Sequence, residues 1–326
     1  MSSGDSTGKA SRLRVGVVGV GYLGELHARK YAALPGVQLV AVYDIDCERA
    51  EAVARRYGCA AAGELDELLE CVDALSIAVP TAAHAEVACR AAAAGRPMLI
   101  EKPLAGSLAD GERIAAAARR AGVAVQVGHL ERFNPVFAEL RRVLNRPRFV
   151  ECHRLSPYAG RGGDTDVVFE VMIHDLDLLA HLVGGDVCGV EAIGVPVLSD
   201  FVDIANARLR FDSGCIANVT ASRVSLKRER KLRVFQPDAY VSIDFDNRRL
   251  VIAERREKTV PSESPMSAIA VEERQLAEAD PLAEEIEAFV AAVRSGEPPK
   301  VGLEEGLAAL RLADRVVASM DVPAAE

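Results

Sequence analysis

The chain has 326 residues, of which 50% are hydrophobic and 27% are charged, and its formal net charge is −9. This length exceeds one ordinary hydrophobic core, so we expect two domains. The negative balance disfavours a general nucleic-acid binder, and no apolar run has the length that crosses a bilayer. Seven cysteines without a CxxC pair fit a reducing compartment and disfavour a zinc site or a disulfide framework. We therefore expect a cytoplasmic protein with no resident metal.

The N-terminal part of the chain has the pattern of parallel β-α-β units. Residues 1–12 are polar and rich in glycine and serine, so we expect a disordered tail there. From residue 13 to residue 128, short apolar runs alternate with alanine-rich amphipathic stretches, which predicts a doubly wound parallel sheet. The predicted strands are Val15–Val18, Val37–Tyr43, Ala74–Val79, Met98–Ile100 and Val123–Val127. The predicted helices are Glu25–Ala33, Cys47–Tyr57, Glu64–Glu70, Ala83–Ala94 and Leu108–Ala121.

A GxGxxG spacing follows the first predicted strand directly. In such a turn the first glycine permits the sharp bend, the second lets a pyrophosphate approach the backbone, and the third lets the helix pack close to the strand. Asp44 ends the second strand, where a carboxylate binds the hydroxyls of an adenine ribose and repels a 2′-phosphate. This context predicts an NAD site and disfavours NADP. The residues of the turn that we assign to the cofactor are Gly19, Gly21, Tyr22, Leu23 and Gly24.

Two more segments follow strands of the predicted sheet, at the edge where open α/β sheets bind ligands. In Pro80-Thr-Ala-Ala-His84, Thr81 is a candidate helix cap, and we interpret His84 as structural or adjacent to the cofactor. In Glu101-Lys102-Pro103, the lysine can stabilise the alkoxide that develops during hydride transfer, and the alternative is a solvated loop lysine. The predicted cofactor contacts of these segments are Pro80, Thr81, His84, Glu101 and Lys102.

The pattern changes after residue 128, and we expect residues 129–326 to form an α+β domain for substrate binding and oligomerisation. Its sheet should be open and largely antiparallel, and because an exposed sheet face needs covering, we expect a homodimer or homotetramer. Ser262–Asp280 is polar and is expected to be an exposed connection. The predicted strands are Arg148–His153, Val190–Val197, Ala205–Phe211, Cys215–Ser222, Lys231–Phe235, Ala239–Phe245 and Arg249–Ile252. The predicted helices are Pro135–Leu144, Glu170–Val183, Leu282–Arg294 and Leu303–Met320.

Glu170 and His174 are four residues apart on a predicted helix, which places them on one helix face. The carboxylate can orient the imidazole and raise its basicity, so that His174 takes a proton from a hydroxyl. The alternatives are a surface ion pair and a satisfied core histidine. Asp175 and Asp177 follow, but no second histidine has ligand spacing, which disfavours a metal site.

Basic residues concentrate in the second domain, mainly between Arg223 and Arg233. Such a run is often a solvated face, but it could equally hold an anionic substrate, because guanidinium groups match phosphate. An aromatic ring such as that of Phe133 could stack on a base or a sugar. The predicted substrate contacts are Arg132, Arg154, Tyr158, Arg161, His174 and Arg223.

These motifs in combination resemble the Gfo/Idh/MocA oxidoreductases, and the resemblance covers nearly the whole chain from Leu13. It implies a Rossmann domain followed by an α/β domain whose open sheet often forms the oligomer interface. It also implies that Lys102 is the active-site lysine and that His174 is the acid/base. The family usually has aspartate where this chain has Glu170, and often asparagine where it has Thr81.

Three further stretches, Gly128–Pro135, Met172–Asp175 and Lys231–Gln236, look like the family members that act on UDP-N-acetylglucosamine. Those members oxidise its C3 hydroxyl to a 3-keto sugar, ahead of transamination to a 3-amino sugar in lipid A synthesis. The resemblance implies an NAD-dependent sugar dehydrogenase that precedes an aminotransferase, with the basic residues on the diphosphate. The alternatives are an inositol, polyol or free-sugar dehydrogenase and an NAD-binding, ligand-sensing regulator without redox activity. A dihydrodiol- or biliverdin-type reductase would favour NADP, which conflicts with Asp44.

Overall fold

The computed structural model describes residues 12–158, 165–255 and 269–321. These residues form two compact units. The first runs to Gly128 and includes Leu282–Leu303, and the second comprises His129–Pro281 and the chain from Glu304 onward. The predicted tail lies outside the described residues up to residue 11.

The first unit is built on a six-stranded parallel sheet with the strand order β3-β2-β1-β4-β5-β6. This is the order of the doubly wound dinucleotide-binding fold, so the predicted fold class of this part is confirmed. The strands are β1 Leu13–Val18, β2 Val37–Tyr43, β3 Ala60–Ala61, β4 Ala74–Ile77, β5 Met98–Glu101 and β6 Val125–Gly128. The helices of this part are α1 Tyr22–Ala33, α2 Cys47–Tyr57, α3 Leu65–Cys71, α4 Thr81–Ala93 and α5 Leu108–Ala121.

Local sequence explains where several of these helices begin and end. The side chains of Asp46 and Ser107 accept backbone N–H groups at the starts of α2 and α5. Gly58 and Gly122 end the same helices in the left-handed conformation that glycine adopts without strain. The prediction that Thr81 caps its helix was wrong. Pro80 holds the cap position of α4 and Thr81 is the first helical residue, because proline suits a helix start that needs no N–H donor.

The second unit is built on a nine-stranded sheet with the order β14-β13-β12-β11-β7-β10-β9-β8-β15. Two of its strand pairs, β7–β10 and β8–β15, are parallel, and the other pairs are antiparallel. The prediction of a largely antiparallel sheet is therefore confirmed. The strands are β7 Phe149–Leu155, β8 Val187–Val195, β9 Ile204–Phe211, β10 Ile216–Ser222, β11 Glu229–Phe235, β12 Ala239–Asp244, β13 Arg249–Arg255, β14 Ile269–Gln275 and β15 Met320–Asp321.

Helices cover one face of this sheet, and their apolar side chains form a core with it that includes Leu176, Leu209 and Leu312. The helical segments of the second unit are a 3-10 turn at Leu130–Phe133, α6 Pro135–Val143, a π-helical turn at Val168–Met172, α7 Ile173–Leu182 and α9 Leu303–Ala318. Between α7 and α9 in the chain, Pro281–Ser295 forms α8. Helix α8 lies within residues 129–326, the range predicted for the second domain, but it groups with the first unit. Its apolar residues Ile286 and Phe289 pack into the core of the first unit, so residues 282–303 group with the parallel sheet.

One predicted connection contains a strand. Ser262–Asp280 was expected to be an exposed connection, but Ile269–Gln275 forms β14 at the edge of the second sheet, and residues 262–268 lie outside the described part. Its charged side chains form ion pairs such as Arg249–Glu273 with the neighbouring strand, and charge is typical of edge strands. The polar composition therefore identified exposure and not the absence of a strand. In the described part of the chain, no helix has the length and apolar character needed to cross a membrane.

Candidate active site

The glycine turn after β1 requires glycine at two positions and leaves open space at the third. Gly19 has φ +80°, and a Cβ there would lie 2.7 Å from the backbone nitrogen of Val79. A Cβ at Gly24 would overlap the carbonyl oxygen of Gly19. A Cβ at Gly21, in contrast, would meet no atom within 4 Å. The turn therefore packs closely against β4 and α1 while the side of Gly21 stays open, which fits the approach of a pyrophosphate.

Helix α1 begins at this turn, and its cap residue is a glycine. Gly21 holds the cap position and has no side chain that could accept an N–H group. Tyr22 and Leu23 are exposed at the same end. The start of a helix carries the positive end of the helix dipole and directs its N–H groups outward, which favours an anion. These residues fit the pyrophosphate of a dinucleotide.

Asp44 follows β2 and contacts the glycine turn directly. One carboxylate oxygen accepts the N–H of Val20 at 2.8 Å, and the other accepts the N–H of Asp46 at 3.0 Å. Arg49 lies 3.3 Å from both oxygens and also donates to Asp46 at 2.8 Å. These four contacts match the about four acceptor positions of an ionised carboxylate, so a ribose hydroxyl would take the place of a contact from Arg49, whose side chain is exposed. The arginine that could attract a 2′-phosphate is already shared between two carboxylates.

His84 on α4 connects two loops at the carboxyl edge of the parallel sheet. Its ring nitrogens lie 2.9 Å from the carbonyl oxygen of Pro103 and 3.0 Å from that of Val79. Burial lowers the pKa of His84, so the ring is neutral and donates to one of these oxygens at a time. This agrees with the interpretation of His84 as structural or adjacent to the cofactor.

Lys102 follows β5 at the same sheet edge. Its backbone N–H donates to Glu101 at 3.2 Å, and the Lys102–Pro103 peptide bond is cis. β1, β4 and β5 are neighbours in the sheet, so the structure brings Gly19, Pro80 and Lys102 to one edge. Within the first unit the predicted cofactor residues therefore gather as the motif order implied.

In the second unit, the π-helical turn carries Glu170, and His174 follows in the first turn of α7. Single π-helical turns are frequent at functional sites. Glu170 accepts from Arg223 at 2.7 Å, and this arginine also donates to Asp203 at 2.8 Å. Asp203 is buried, but hydrogen bonds from the N–H of Leu198 and from Arg223 outweigh the burial and hold the pKa of Asp203 below its usual range.

The guanidinium group of Arg223 makes several hydrogen bonds within the protein. In addition to Glu170 and Asp203, it donates to the carbonyl oxygen of Thr165 at 2.7 Å and to Ser199 at 3.1 Å. It is buried at the end of β10. These contacts favour a role in holding the carboxylate of Glu170. The predicted contact between Arg223 and a substrate stays a prediction.

Arg154 and Arg132 are also buried in ion pairs. Arg154 donates to both oxygens of Asp175 at 3.0 and 2.9 Å and to Glu131 at 2.9 Å. Burial disfavours its charge, but the two carboxylates outweigh that effect and raise the pKa of Arg154. Arg132 lies 3.7 Å from Asp177. These ion pairs join the 3-10 turn at Leu130–Phe133 to Asp175 and Asp177 of α7, and the predicted substrate contacts of both arginines remain untested.

The basic run after Arg223 is largely neutralised by acids of the same unit. Its ion pairs are Lys227–Glu229, Arg228–Asp246, Arg230–Glu131, Arg230–Asp246 and Arg233–Glu151. This arrangement weakens the interpretation of the run as a phosphate site. Tyr158 is 41% exposed at the end of a described range. Arg161 lies outside the described residues.

Sequence reasoning missed the acidic partners of these arginines and a buried polar chain beneath Lys102. Glu131 and Asp203 are distant in sequence from the arginines that they bind, so no local spacing pointed to them. His27, Ser76 and Glu101 hydrogen-bond in series inside the first unit. A histidine and a serine within apolar segments were the available signal. Among the described residues no cluster of histidine, cysteine and carboxylate side chains could hold a metal ion.

Two family profiles match the chain. The first, GFO_IDH_MocA, is described as "Oxidoreductase family, NAD-binding Rossmann fold" and matches residues 13–129. The second is the GFO/IDH/MocA C-terminal domain and matches residues 142–241. The two matches fall on the parallel sheet and on the nine-stranded sheet respectively.

Several proteins that are similar to this chain are named as dehydrogenases. UDP-N-acetylglucosamine 3-dehydrogenase from Acidithiobacillus ferrooxidans is 40% identical over 287 residues, 88% of this chain and 90% of that protein. scyllo-Inositol 2-dehydrogenase (NAD(+)) from Bacillus subtilis is 31% identical over 233 residues, 66% of this chain and 68% of that protein. A solved structure of the Acidithiobacillus ferrooxidans enzyme has a TM-score of 0.88 at 38% identity and covers 94% of this chain and 97% of that chain. The chain is thus similar, over most of its length, to named dehydrogenases.

Proposed function

The chain belongs to the Gfo/Idh/MocA family of NAD-binding oxidoreductases and is a dehydrogenase, and from that premise we propose its substrate. We propose that it oxidises the C3 hydroxyl of UDP-N-acetylglucosamine to a 3-keto sugar with NAD as the hydride acceptor. The observation that carries the proposal is the 40% identity, over 88% of the chain, to UDP-N-acetylglucosamine 3-dehydrogenase. An aminotransferase that forms a 3-amino sugar for lipid A is the proposed next step.

The choice of NAD over NADP is supported by Asp44. Its carboxylate lies against the glycine turn and ends β2, the position that meets the adenine ribose in this fold. A 2′-phosphate there would face an anion, and Arg49 is held by Asp44 and Asp46. When bound, NAD supplies an electrophilic nicotinamide carbon that accepts hydride.

We propose that His174 and Lys102 divide the proton and charge chemistry between them. His174 takes the proton of the substrate hydroxyl while the hydrogen on the same carbon leaves as hydride. The ammonium group of Lys102 stabilises the negative charge that develops on the oxygen. Glu170 orients His174, and Arg223, which donates to Glu170 at 2.7 Å, fixes that carboxylate in turn. The products are the ketone, NADH and one proton.

The substrate contacts need a narrower proposal than the sequence suggested. Arg132, Arg154 and Arg223 are each buried in ion pairs, so we propose that they position other groups. Tyr158 and Arg161 stay as proposed contacts of the nucleotide sugar, since the ring of Tyr158 is exposed. Charge reversal at Arg161 should then raise KM for the nucleotide sugar and leave NADH binding unchanged.

Two other functions compete with this proposal. An inositol or polyol dehydrogenase is supported by the 31% identity to scyllo-inositol 2-dehydrogenase, which covers a smaller part of the chain. An NAD-binding, ligand-sensing regulator would not need Lys102 and His174 together, and this chain has both.

The test is NADH formation by purified protein with UDP-N-acetylglucosamine, free N-acetylglucosamine or myo-inositol, with an aminotransferase present to remove a ketone. Turnover with the UDP-sugar alone supports the proposal. Turnover with inositol or the free sugar overturns the nucleotide-sugar assignment and keeps the dehydrogenase. NADH binding without turnover of any of the three overturns the proposed substrate and favours the regulator.

We also propose that the protein is a homodimer or homotetramer in the cytoplasm. One face of the nine-stranded sheet carries the helices, and the other exposes side chains such as Val271 and Ile193. An exposed face of a sheet that carries apolar side chains is commonly covered by another surface. Light scattering coupled to size-exclusion chromatography measures the assembly directly.

A further inference from the structure

A chain of buried polar side chains crosses the core of the first unit and ends at Glu101, next to Lys102. Tyr31 lies 2.8 Å from the hydroxyl of Ser76, and this hydroxyl lies 3.0 Å from Nδ1 of His27. Nε2 of His27 lies 2.9 Å from Oε1 of Glu101. Tyr31, Ser76 and His27 have no exposed surface. A polar chain inside an apolar layer is costly unless each group is satisfied, so its presence calls for a function.

The protons of this chain have one consistent placement with a neutral imidazole. A carboxylate only accepts, so His27 donates to Glu101 through Nε2 and accepts from Ser76 through Nδ1. Ser76 then accepts from Tyr31, whose phenol keeps its proton because burial raises the pKa of Tyr31. Every dipole along the chain therefore points its positive end toward Glu101 and stabilises a negative charge there.

Glu285 on α8 brings a second carboxyl group into the same region. Its side chain is 1% exposed, and Gln126 donates to its backbone carbonyl oxygen at 2.8 Å. Burial and the nearby charge of Glu101 raise the pKa of Glu285 well above its usual value. Burial also disfavours the charge of Glu101, but the hydrogen bond from His27 and the charge of Lys102 favour it, and the pKa of Glu101 is lowered. The two carboxyls thus hold one proton and one negative charge, with the charge on Glu101.

The position of Glu101 is fixed from several sides. Its Oε2 accepts the N–H of Lys102 at 3.2 Å, and β6 passes so closely that a Cβ at Gly128 would lie 3.1 Å from the same oxygen. The titratable groups around Glu101 are His27 from α1, His84 from α4, Glu285 from α8 and Lys102, the next residue in the chain. His84 holds the carbonyl oxygen of Pro103, so the Lys102 segment is restrained on both sides.

We infer that Glu101 and His27 are positioning residues that keep a fixed negative charge beside Lys102 and so hold its side chain as an oriented ammonium. The buried chain prevents that charge from being neutralised, because His27 donates to Glu101 and Glu285 carries the available proton. The inference rests on the proposed function, in which the ammonium of Lys102 stabilises the developing alkoxide.

The test measures Lys102 without any sugar. The full-length protein is treated over a range of pH with a small acylating reagent that reacts with amines. The acylated Lys102 peptide is then quantified by mass spectrometry. In Glu101→Gln the pH midpoint of Lys102 acylation should fall by about one unit or more, since the neighbouring anion is gone. In His27→Gln, which keeps a donor toward Glu101, the midpoint should fall less. In Glu285→Gln it should stay at the wild-type value, because an amide imitates a protonated carboxyl.

An unchanged midpoint in both Glu101→Gln and His27→Gln overturns the inference. An equal fall in Glu285→Gln also overturns it, since it would place the charge on the other carboxyl. NADH binding and thermal unfolding report whether each variant is folded, and His27→Gln carries the test if Glu101→Gln does not fold. Because the acylation needs no substrate, absence of sugar oxidation would refute the proposed function and leave this measurement intact.

Discussion

Replacing Glu285 by glutamine is expected to stabilise the protein, and the gain should increase with pH. Glu285 is 1% exposed, and burial together with the charge of Glu101 raises the pKa of its carboxyl well above the ordinary 4.5. The folded protein therefore keeps the proton of Glu285 to a higher pH than the unfolded chain does. Glutamine has nearly the same shape and no proton to release.

Proton release on unfolding determines the sign and size of the effect. Below the ordinary pKa both states are protonated, and the stability contributed by the neutral carboxyl is fully present. As the pH rises toward the folded-state pKa, the free energy of unfolding of the wild type falls by up to about 1.4 kcal/mol per pH unit. Relative to the wild type, Glu285→Gln should therefore become more stable as the pH rises from the ordinary pKa toward the folded-state pKa of Glu285.

Scanning calorimetry at matched ionic strength compares the wild type, Glu285→Gln and the control Glu287→Gln, whose side chain is exposed on the same helix. A gain of 1 kcal/mol corresponds to about 2 to 4 °C in Tm for a domain of this size class. The Tm difference between Glu285→Gln and the wild type should widen from pH 5 to pH 7, while the control stays constant. A difference that is constant or that narrows as the pH rises would refute a protonated Glu285.

Three further predictions concern the candidate site. Gly21→Ala should fold normally and weaken NADH binding at least tenfold. Gly24→Ala should lower Tm by several degrees, because a Cβ at Gly24 overlaps the backbone and a Cβ at Gly21 does not. Equal Tm values of the two variants in an unfolding scan would contradict this. Asp44→Ala should weaken NADH binding by about 1 to 3 kcal/mol and bring the Kd for NADH closer to the Kd for NADPH, both measured by fluorescence titration. An unchanged preference for NADH over NADPH would show that Asp44 does not select the cofactor. Lys102→Ala and His174→Ala should each lower kcat by about 10²-fold or more with NADH binding near the wild type, and a variant with unchanged kcat would have no role in the chemistry.

The first unit was largely predictable because its signals are local. The glycine spacing, the apolar runs and the helix-ending Gly58 and Gly122 lie within a few residues of the elements that they define. Asp44 was recognised from its place after a strand, and the sheet order confirms the fold that this place implied. The crossover connections between parallel strands are almost always right-handed, so these local signals leave few alternative topologies.

The partners of the buried charges were not predictable, because they depend on long-range contacts. Arg223 and Glu170 are 53 residues apart, and His27 and Glu101 are 74 residues apart. The basic run was visible in the sequence, but its neutralising acids come from other strands and turns, so its net charge could not be judged. Helix α8 shows the same limit. Its apolar periodicity predicts a buried face, but the face has the same pattern whichever sheet it covers.

The most direct test of the proposed reaction follows the hydrogen that leaves C3. The wild-type protein is incubated with NAD and UDP-N-acetylglucosamine that carries deuterium only at C3, and the NADH formed is analysed by mass spectrometry. If hydride leaves C3, the deuterium appears in NADH and the sugar product is a 3-ketone. NADH without deuterium would show that hydride leaves another carbon or another molecule, and it would contradict the assignment of C3.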